Sequence, residues 1–225
     1  MKPRVVIAES TLPDGSALAL QEHDGRHYLT LNGEQTAGPS TRVSEAEMAR
    51  IGCAPFRPAR QPRIWLAGLA LGEALAAAAA ALPQKRATFY VAEPATVLPV
   101  WHREHLADSA LAGDTRTELR DDAGAGGLAE FDGSLHAILL HADTAPLGSD
   151  RRALFEDKRW LTAAYDALQP GGLIAIASSQ KLPRIERQLA RAGFQVVFHE
   201  INAVPKARRP RLHFLWLGRK GKAAV

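Results

Sequence analysis

Apolar and polar residues alternate in blocks along the chain, and from residue 63 onward the blocks predict strands and helices in turn. Short apolar runs have the length of buried parallel strands, at 64–67, 87–92, 116–119, 135–141 and 173–178. Helical stretches separate most of them, at 71–82, 96–107, 150–168 and 182–192. The last two strands, 194–200 and 211–217, have no helix between them and predict an antiparallel hairpin at the sheet edge. The pattern therefore predicts an α/β fold with helices on both faces of a parallel sheet.

The first 53 residues have a different pattern. Residues 1–43 predict β structure, with a two-residue hairpin turn at Asp24-Gly25. Ser44 predicts the start of a short helix, with Glu47 at the capping-box position. Residues 54–62 contain three prolines and predict a linker. We therefore expect a small N-terminal β domain with a short helix (1–53), the linker (54–62) and an α/β domain (63–225).

Composition narrows the classes of function. Hydrophobic residues make up 46% of the 225, enough for a sizeable core. Cys53 is the sole cysteine, which excludes an intrachain disulfide or a cysteine metal cluster. Secretory and membrane-spanning patterns are lacking, so a cytoplasmic protein without a membrane partner is expected. Residues 201–225 contain seven Lys or Arg and no acid, which is a basic tail.

The segment 63–93 contains the strongest functional signal. Gly68 and Gly72 bracket a tight turn between strand and helix, and Glu93 ends the next strand 21 positions after Gly72. A carboxylate at this spacing suits the two hydroxyls of a cofactor ribose. An intact turn would read Gly-x-Gly-x-Gly, but Ala70 takes the middle position, and alanine adopts positive φ only at a cost. A turn that binds nothing is the alternative interpretation.

Two further features resemble S-adenosylmethionine-dependent transferases. Leu168-Gln169-Pro170-Gly171-Gly172, at the end of a helix and before a strand, is similar to a frequent signature of those enzymes. The closing strand pair is also typical of their seven-stranded sheet. The resemblance implies a Rossmann-like, seven-stranded class I methyltransferase fold for residues 63–218, preceded by the small N-terminal β-hairpin domain.

Within that superfamily the chain most resembles the spermidine synthase-like group, along nearly its whole length. Shared features are the N-terminal β domain, the Gly-x-x-Leu of Gly72–Leu75, and Glu93. Asp122 before Ala123 is similar to the family's carboxylate that contacts the adenine amine, and residues 140–148 resemble its Asp-x-x-Asp-Pro loop. The resemblance implies S-adenosylmethionine or decarboxylated S-adenosylmethionine as cofactor. The residues expected to bind it are Gly68, Leu69, Gly72, Glu93, Pro94, Asp122 and Ala123.

The chain departs from the family at the catalytic loop. His141 stands where the aminopropyltransferases have a catalytic aspartate, with Asp143 two residues on, and 54–62 lacks the family's amine-binding segment. We therefore expect a methyl or aminopropyl transferase that does not make spermidine, with Asp143 or His141 taking a proton from a small-molecule acceptor.

Two other functions stay open at this point. One is a catalytically degenerate module of the same fold that serves binding or dimerisation; the other is an RNA methyltransferase, which the basic tail alone supports. A homodimer is expected, and nucleic acid is a less favoured partner. No metal site is expected, because His102 and His105 share a predicted solvated helix face without further ligands.

Overall fold

The strands of the protein form two sheets. The computed structural model describes residues 3–106, 110–146, 152–204 and 208–221. A small antiparallel sheet contains four strands in chain order: β1 (Val5–Thr11), β2 (Ala17–His23), β3 (Arg26–Leu31) and β4 (Glu34–Ala37). The large sheet contains seven strands: β5 (Arg63–Ala67), β6 (Thr88–Ala92), β7 (Thr117–Arg120), β8 (Leu135–His141), β9 (Leu168–Ser178), β10 (Gln195–Asn202) and β11 (Leu212–Arg219).

The order of strands in the large sheet is β10-β11-β9-β8-β5-β6-β7. Strand β11 runs antiparallel to both of its neighbours, and the remaining pairs are parallel. Strand β10 lies at the edge, so the predicted antiparallel hairpin is confirmed. The predicted seven-stranded fold with a small N-terminal β sheet is confirmed as well.

Seven α-helices are present among the described residues: α1 (Pro39–Cys53), α2 (Glu73–Ala81), α3 (Val97–His105), α4 (Ala110–Gly113), α5 (Ala125–Ala129), α6 (Lys158–Ala167) and α7 (Pro183–Arg191). Alternate residues of the strands point to opposite faces of the large sheet. Leu66 and Leu139 belong to one core, together with α1, α2, α3 and the small sheet. Trp65 and Ile138 belong to the other core, with α5, α6 and α7. None of the helices in the described ranges is long and apolar enough to cross a bilayer.

Helix α1 begins earlier than predicted. It starts at Pro39, and Thr41 Oγ1 accepts a hydrogen bond of 2.8 Å from the Gly38 amide, so the capping box predicted at Ser44 and Glu47 is wrong. Proline suits the first position of a helix because its φ is already fixed and its missing N–H would have no helical partner there. The face of α1 that contains Met48 packs into the core of the large sheet. The domain boundary at 54–62 stays a prediction.

Other local predictions differ from the structure in detail. Most of the loop predicted at 124–127 forms the start of α5. The helix predicted at 150–168 begins only at Lys158, where Asp157 accepts a hydrogen bond of 2.8 Å from the Arg159 amide. Residues 150 and 151 lie outside the described ranges.

The turn predicted at 169–172 lies within β9 instead, and Lys220 explains why. Gly171 has a φ of 80°, and the backbone of Lys220 exchanges hydrogen bonds with Gly171 and Gly172. Lys220 Nζ also donates to the carbonyls of Tyr165 and Leu168 at 2.7 Å each, at the end of α6. Lys220, which the sequence assigned to an exposed basic tail, is therefore anchored. Lys206 and Lys222 lie outside the described residues.

Candidate cofactor and acceptor site

The residues predicted for the site lie at one edge of the large sheet. The glycine turn follows β5, Glu93 follows β6, Asp122 follows β7, and Asp143 follows β8. Because these four strands are parallel, their carboxyl ends meet at the same edge. In open α/β sheets this edge is where ligands bind.

The turn between β5 and α2 has a strained backbone. Gly68 and Gly72 have φ values of 99° and 83°, and Ala70 between them has a φ of 46°. An alanine in this left-handed conformation costs about 1–2 kcal/mol. Ala70 therefore keeps the conformation that a glycine would adopt freely at this position. Contacts from the surrounding residues must stabilise it.

Glu93 supplies the first of those contacts. Its Oε2 accepts a hydrogen bond of 2.9 Å from the Leu69 amide in the turn, and its Oε1 accepts one of 2.9 Å from Ala95. The side chain is buried, and burial raises the pKa of the carboxyl while the two amide donors lower it. Each carboxylate oxygen has a second lone pair, so both can still accept a ribose hydroxyl.

His102 supplies the second contact, a role that the sequence pattern does not predict. The ring lies fully buried on α3, and its Nε2 donates to the Ala70 carbonyl at 2.8 Å. Burial lowers the pKa of His102, which favours the neutral ring. The predicted solvated face is wrong for His102, whereas His105 is exposed as predicted. The signal for it was present, since His102 follows the apolar Leu98 and Trp101 by four and one positions, on the same side of a helix.

The loop after β8 covers the glycine turn. A Cβ placed on Gly68 would lie 3.0 Å from Pro146 Cδ and 3.3 Å from the Thr144 carbonyl oxygen. Thr144 and Ala145 amides both donate back to the His141 carbonyl, which folds the loop tightly. Gly68 is therefore required twice, for its positive φ and for this close approach. Residues 147 and 148 of the predicted loop lie outside the described ranges.

His141 and Asp143 have different surroundings, although both belong to the predicted catalytic loop. His141 is buried and its Nε2 lies 2.8 Å from Ser44 Oγ, which is also 2.8 Å from His213 Nδ1. Burial lowers the pKa of His141 to about 4, against the opposing effect of the Asp143 charge. Asp143 accepts hydrogen bonds from Ser178 Oγ at 2.9 Å and from the Ser179 amide at 3.1 Å.

Glu45 is a second buried group at the site that the sequence pattern does not predict. It lies on α1 with an exposed fraction of 2%, and Thr144 Oγ1 donates to its Oε1 at 3.1 Å. Burial raises the pKa of this carboxyl to about 8. Glu45 lines a cavity of about 10 Å³ together with Gly68, His141 and Thr144. A cavity of this size holds about one water molecule.

Asp122, Ala123 and Pro94 complete the predicted set. Asp122 Oδ1 accepts a hydrogen bond of 2.7 Å from the Gly124 amide, which forms a turn into α5. The Ala123 carbonyl accepts from Trp160 Nε1 at 2.9 Å, so a buried ring fixes this end of the site. Pro94 is exposed directly after Glu93. A much larger groove of about 1160 Å³ lies elsewhere, along α1, α2 and β10.

The fold of the chain was compared with those of known proteins. No protein-family model and no curated protein sequence matches the chain. The crystal structure of spermidine synthase from Thermotoga maritima superposes with a TM-score of 0.74 at 15% identity, over 96% of this chain and 73% of that one. A spermidine synthase in complex with the transition-state analogue AdoDATO gives 0.71 at 16% identity, over 96% and 72%. The chain has the spermidine synthase fold.

The same fold extends to a methyltransferase. The precorrin-6y C5,15-methyltransferase from Geobacter metallireducens superposes with a TM-score of 0.56 at 12% identity, over 80% of this chain and 88% of that one. The resemblance predicted from the sequence is thus confirmed at the level of the fold, at low sequence identity. Within the spermidine synthase fold, the glycine turn and Glu93 are the predicted site residues that contact each other directly.

Proposed function

We propose that the protein is an S-adenosylmethionine-type group transferase, methyl or aminopropyl, that acts on a small-molecule acceptor. The main support for this proposal is the hydrogen bond that the Leu69 amide donates to Glu93. It joins a glycine turn with positive φ to a carboxylate suited to ribose hydroxyls, at the edge of the sheet where ligands bind in this fold. The polar groups present fit an adenosyl cofactor once the loop at 144–146 moves away from Gly68.

The residues have separate roles toward that cofactor. Gly68, Leu69 and Gly72 present the turn backbone, and Glu93 accepts the ribose hydroxyls. Asp122 and Ala123 follow β7, and the exposed Pro94 lies beside Glu93. These three residues would form the border of the site on the adenine side. A bound sulfonium supplies an electrophilic carbon. The protein contributes the position of the acceptor and the removal of its proton, by Asp143 or His141 as the sequence predicts.

A catalytically degenerate module that serves binding or dimerisation is the second candidate. It is favoured by the loop at 144–146, which lies against Gly68, and by the cavity of about 10 Å³ beneath it. An adenosyl ligand needs that loop to move. RNA methylation is less favoured, since Lys220, one of the basic-tail residues, binds backbone carbonyls. The homodimer and the cytoplasmic location stay predictions.

Thermal unfolding with a ligand panel tests the proposed function. The panel contains S-adenosylmethionine, its decarboxylated form and their two thioether products, with a nicotinamide dinucleotide as control. A ligand at a hundred times its Kd stabilises the folded state by about 2.7 kcal/mol. In a domain of this size we expect a rise in Tm of roughly 5–10 °C. A shift with the dinucleotide alone would contradict the proposal.

Putrescine is expected to be a poor acceptor. A buried His141, whose pKa of about 4 keeps it neutral, stands where the aminopropyltransferases have an aspartate, and it cannot balance the charge of a diamine. We expect no spermidine above background in a chromatographic assay with decarboxylated S-adenosylmethionine and putrescine. Sustained spermidine formation would show that this inference is wrong.

A further inference from the structure

The structure assigns the removal of the acceptor's proton to Glu45, a residue outside the family's catalytic loop. This inference rests on the proposed function and names the base of the same site. The step is a proton transfer: the N–H or O–H bond of the acceptor breaks, a bond from Glu45 Oε to hydrogen forms, and the electron pair stays on the acceptor atom.

Position favours Glu45 over the two predicted groups. Its carboxyl lines the cavity between the glycine turn and His141. Asp143 does not line this cavity, and its oxygens accept hydrogen bonds from Ser178 and Ser179. His141 lines it too, with Nε2 near Ser44 and Nδ1 without a hydrogen-bond partner among the described residues, so its low basicity is what separates it from Glu45. Among the described residues, the partner of Glu45 is the Thr144 hydroxyl, which belongs to the loop that must move when a ligand enters.

The Thr144 hydroxyl occupies the place that an acceptor would take. It donates a hydrogen bond of 3.1 Å to Glu45 Oε1, as the N–H or O–H of a nucleophile would do. When the loop at 142–146 moves away from Gly68, Glu45 Oε1 loses the hydrogen bond from the Thr144 hydroxyl. A buried acceptor without a partner is unfavourable, so an incoming donor is bound there.

The charges around Glu45 suit a proton acceptor near neutral pH. The charges of Glu73 on α2 and Asp143 in the loop after β8 raise the pKa of Glu45, and Arg42 on α1 lowers it. His141 on β8 lines the same cavity. Arg42 forms its ion pair with Glu73, at 2.9 Å, and its effect on Glu45 is smaller than that of burial. Burial raises the pKa of Glu45 to about 8, whereas His141 has its pKa lowered to about 4 and is a weak base. A base is most effective when its pKa lies near the working pH.

The first test needs no activity. Infrared difference spectroscopy follows the protonated carboxyl band of the whole protein from pH 5 to pH 10. We expect one carboxyl to titrate near pH 8 in the wild type and in Glu47→Gln, a matched control on the same helix. The component that titrates near pH 8 should be absent in Glu45→Gln, whereas any contribution of the buried Glu93 remains. A titration confined to pH values near 4.5 would overturn the inference.

The second test is the pH dependence of transfer. The probe is a fixed mixture of short-chain amines and thiols, transfer is measured as release of the thioether product, and each rate is divided by the fraction of acceptor that is neutral at that pH. We expect the wild-type rate to rise about tenfold per pH unit and to level near pH 8. Glu45→Gln should lower the rate about 10²- to 10⁴-fold and remove the pH dependence. Glu45→Asp should restore part of the rate and of the pH dependence. Both variants should bind the adenosyl ligand about as tightly as the wild type.

The outcomes separate this inference from the proposed function. If the wild type binds the adenosyl ligand and Glu45→Gln transfers as fast as wild type, the role of Glu45 is overturned while the proposed function stands. If the wild type neither binds the ligand nor transfers to the probe mixture, both are overturned.

Discussion

Replacing Glu93 by alanine is expected to weaken adenosyl binding and to destabilise the fold. The variant removes the acceptor for the buried Leu69 amide and for the partly buried Ala95 amide. Each buried donor without a partner costs about 1–3 kcal/mol. The loss of a charged acceptor for the ribose hydroxyls should lower ligand affinity about 10- to 100-fold, since such bonds contribute about 1.5–3 kcal/mol.

Urea unfolding and ligand titration measure the two effects separately. Glu93→Gln keeps one acceptor oxygen and nearly the same shape, so it should lose less stability than Glu93→Ala. Glu104→Ala, at an exposed position of α3, is the control and should change neither quantity. If the urea midpoint of unfolding is the same for Glu93→Ala and the wild type, Glu93 does not hold the turn.

Replacing Glu45 by glutamine is expected to stabilise the protein as the pH rises. The folded pKa of about 8 lies above the ordinary value of 4.5, so the unfolded chain releases this proton first. The contribution of Glu45 to stability is therefore complete below pH 4.5 and is lost between about pH 4.5 and 8, by about 1.4 kcal/mol per pH unit. Glutamine does not ionise, so it escapes this loss.

The measurement is the difference in free energy of unfolding between Glu45→Gln and wild type at pH 4.5, 6 and 8. We expect the difference to change in favour of the variant by about 4 kcal/mol across this range. The buried histidines, whose lowered pKa values reduce stability as the pH falls below 6.5, affect both proteins equally. A difference that stays constant with pH would show that Glu45 ionises normally in the folded state.

The sequence predicted the parts of the molecule that depend on local patterns. The predicted bounds of β8, 135–141, agree with the structure, because a continuous apolar run defines a buried strand. The glycine turn and Glu93 were also placed correctly at the ends of β5 and β6. Residue types and spacing were sufficient for these features, because strand, turn and helix follow one another directly in the chain.

The missed features depend on contacts between distant parts of the chain. Glu45 meets Thr144 across 99 positions, and His102 meets Ala70 across 32. No local pattern reveals that α1 packs against the large sheet and brings a carboxyl to its ligand edge. The positive φ of Ala70 is not predicted for the same reason. Hydrogen bonds with Glu93, after β6, and with His102, on α3, stabilise this strained backbone.

Calorimetric titration of the wild type with S-adenosylmethionine, its decarboxylated form and their thioether products tests the central claim most directly. The account predicts saturable binding of at least one of these ligands with one site per chain, and about 10- to 100-fold weaker binding to Glu93→Ala. Absence of binding at millimolar ligand would contradict the transferase proposal and favour the degenerate binding module.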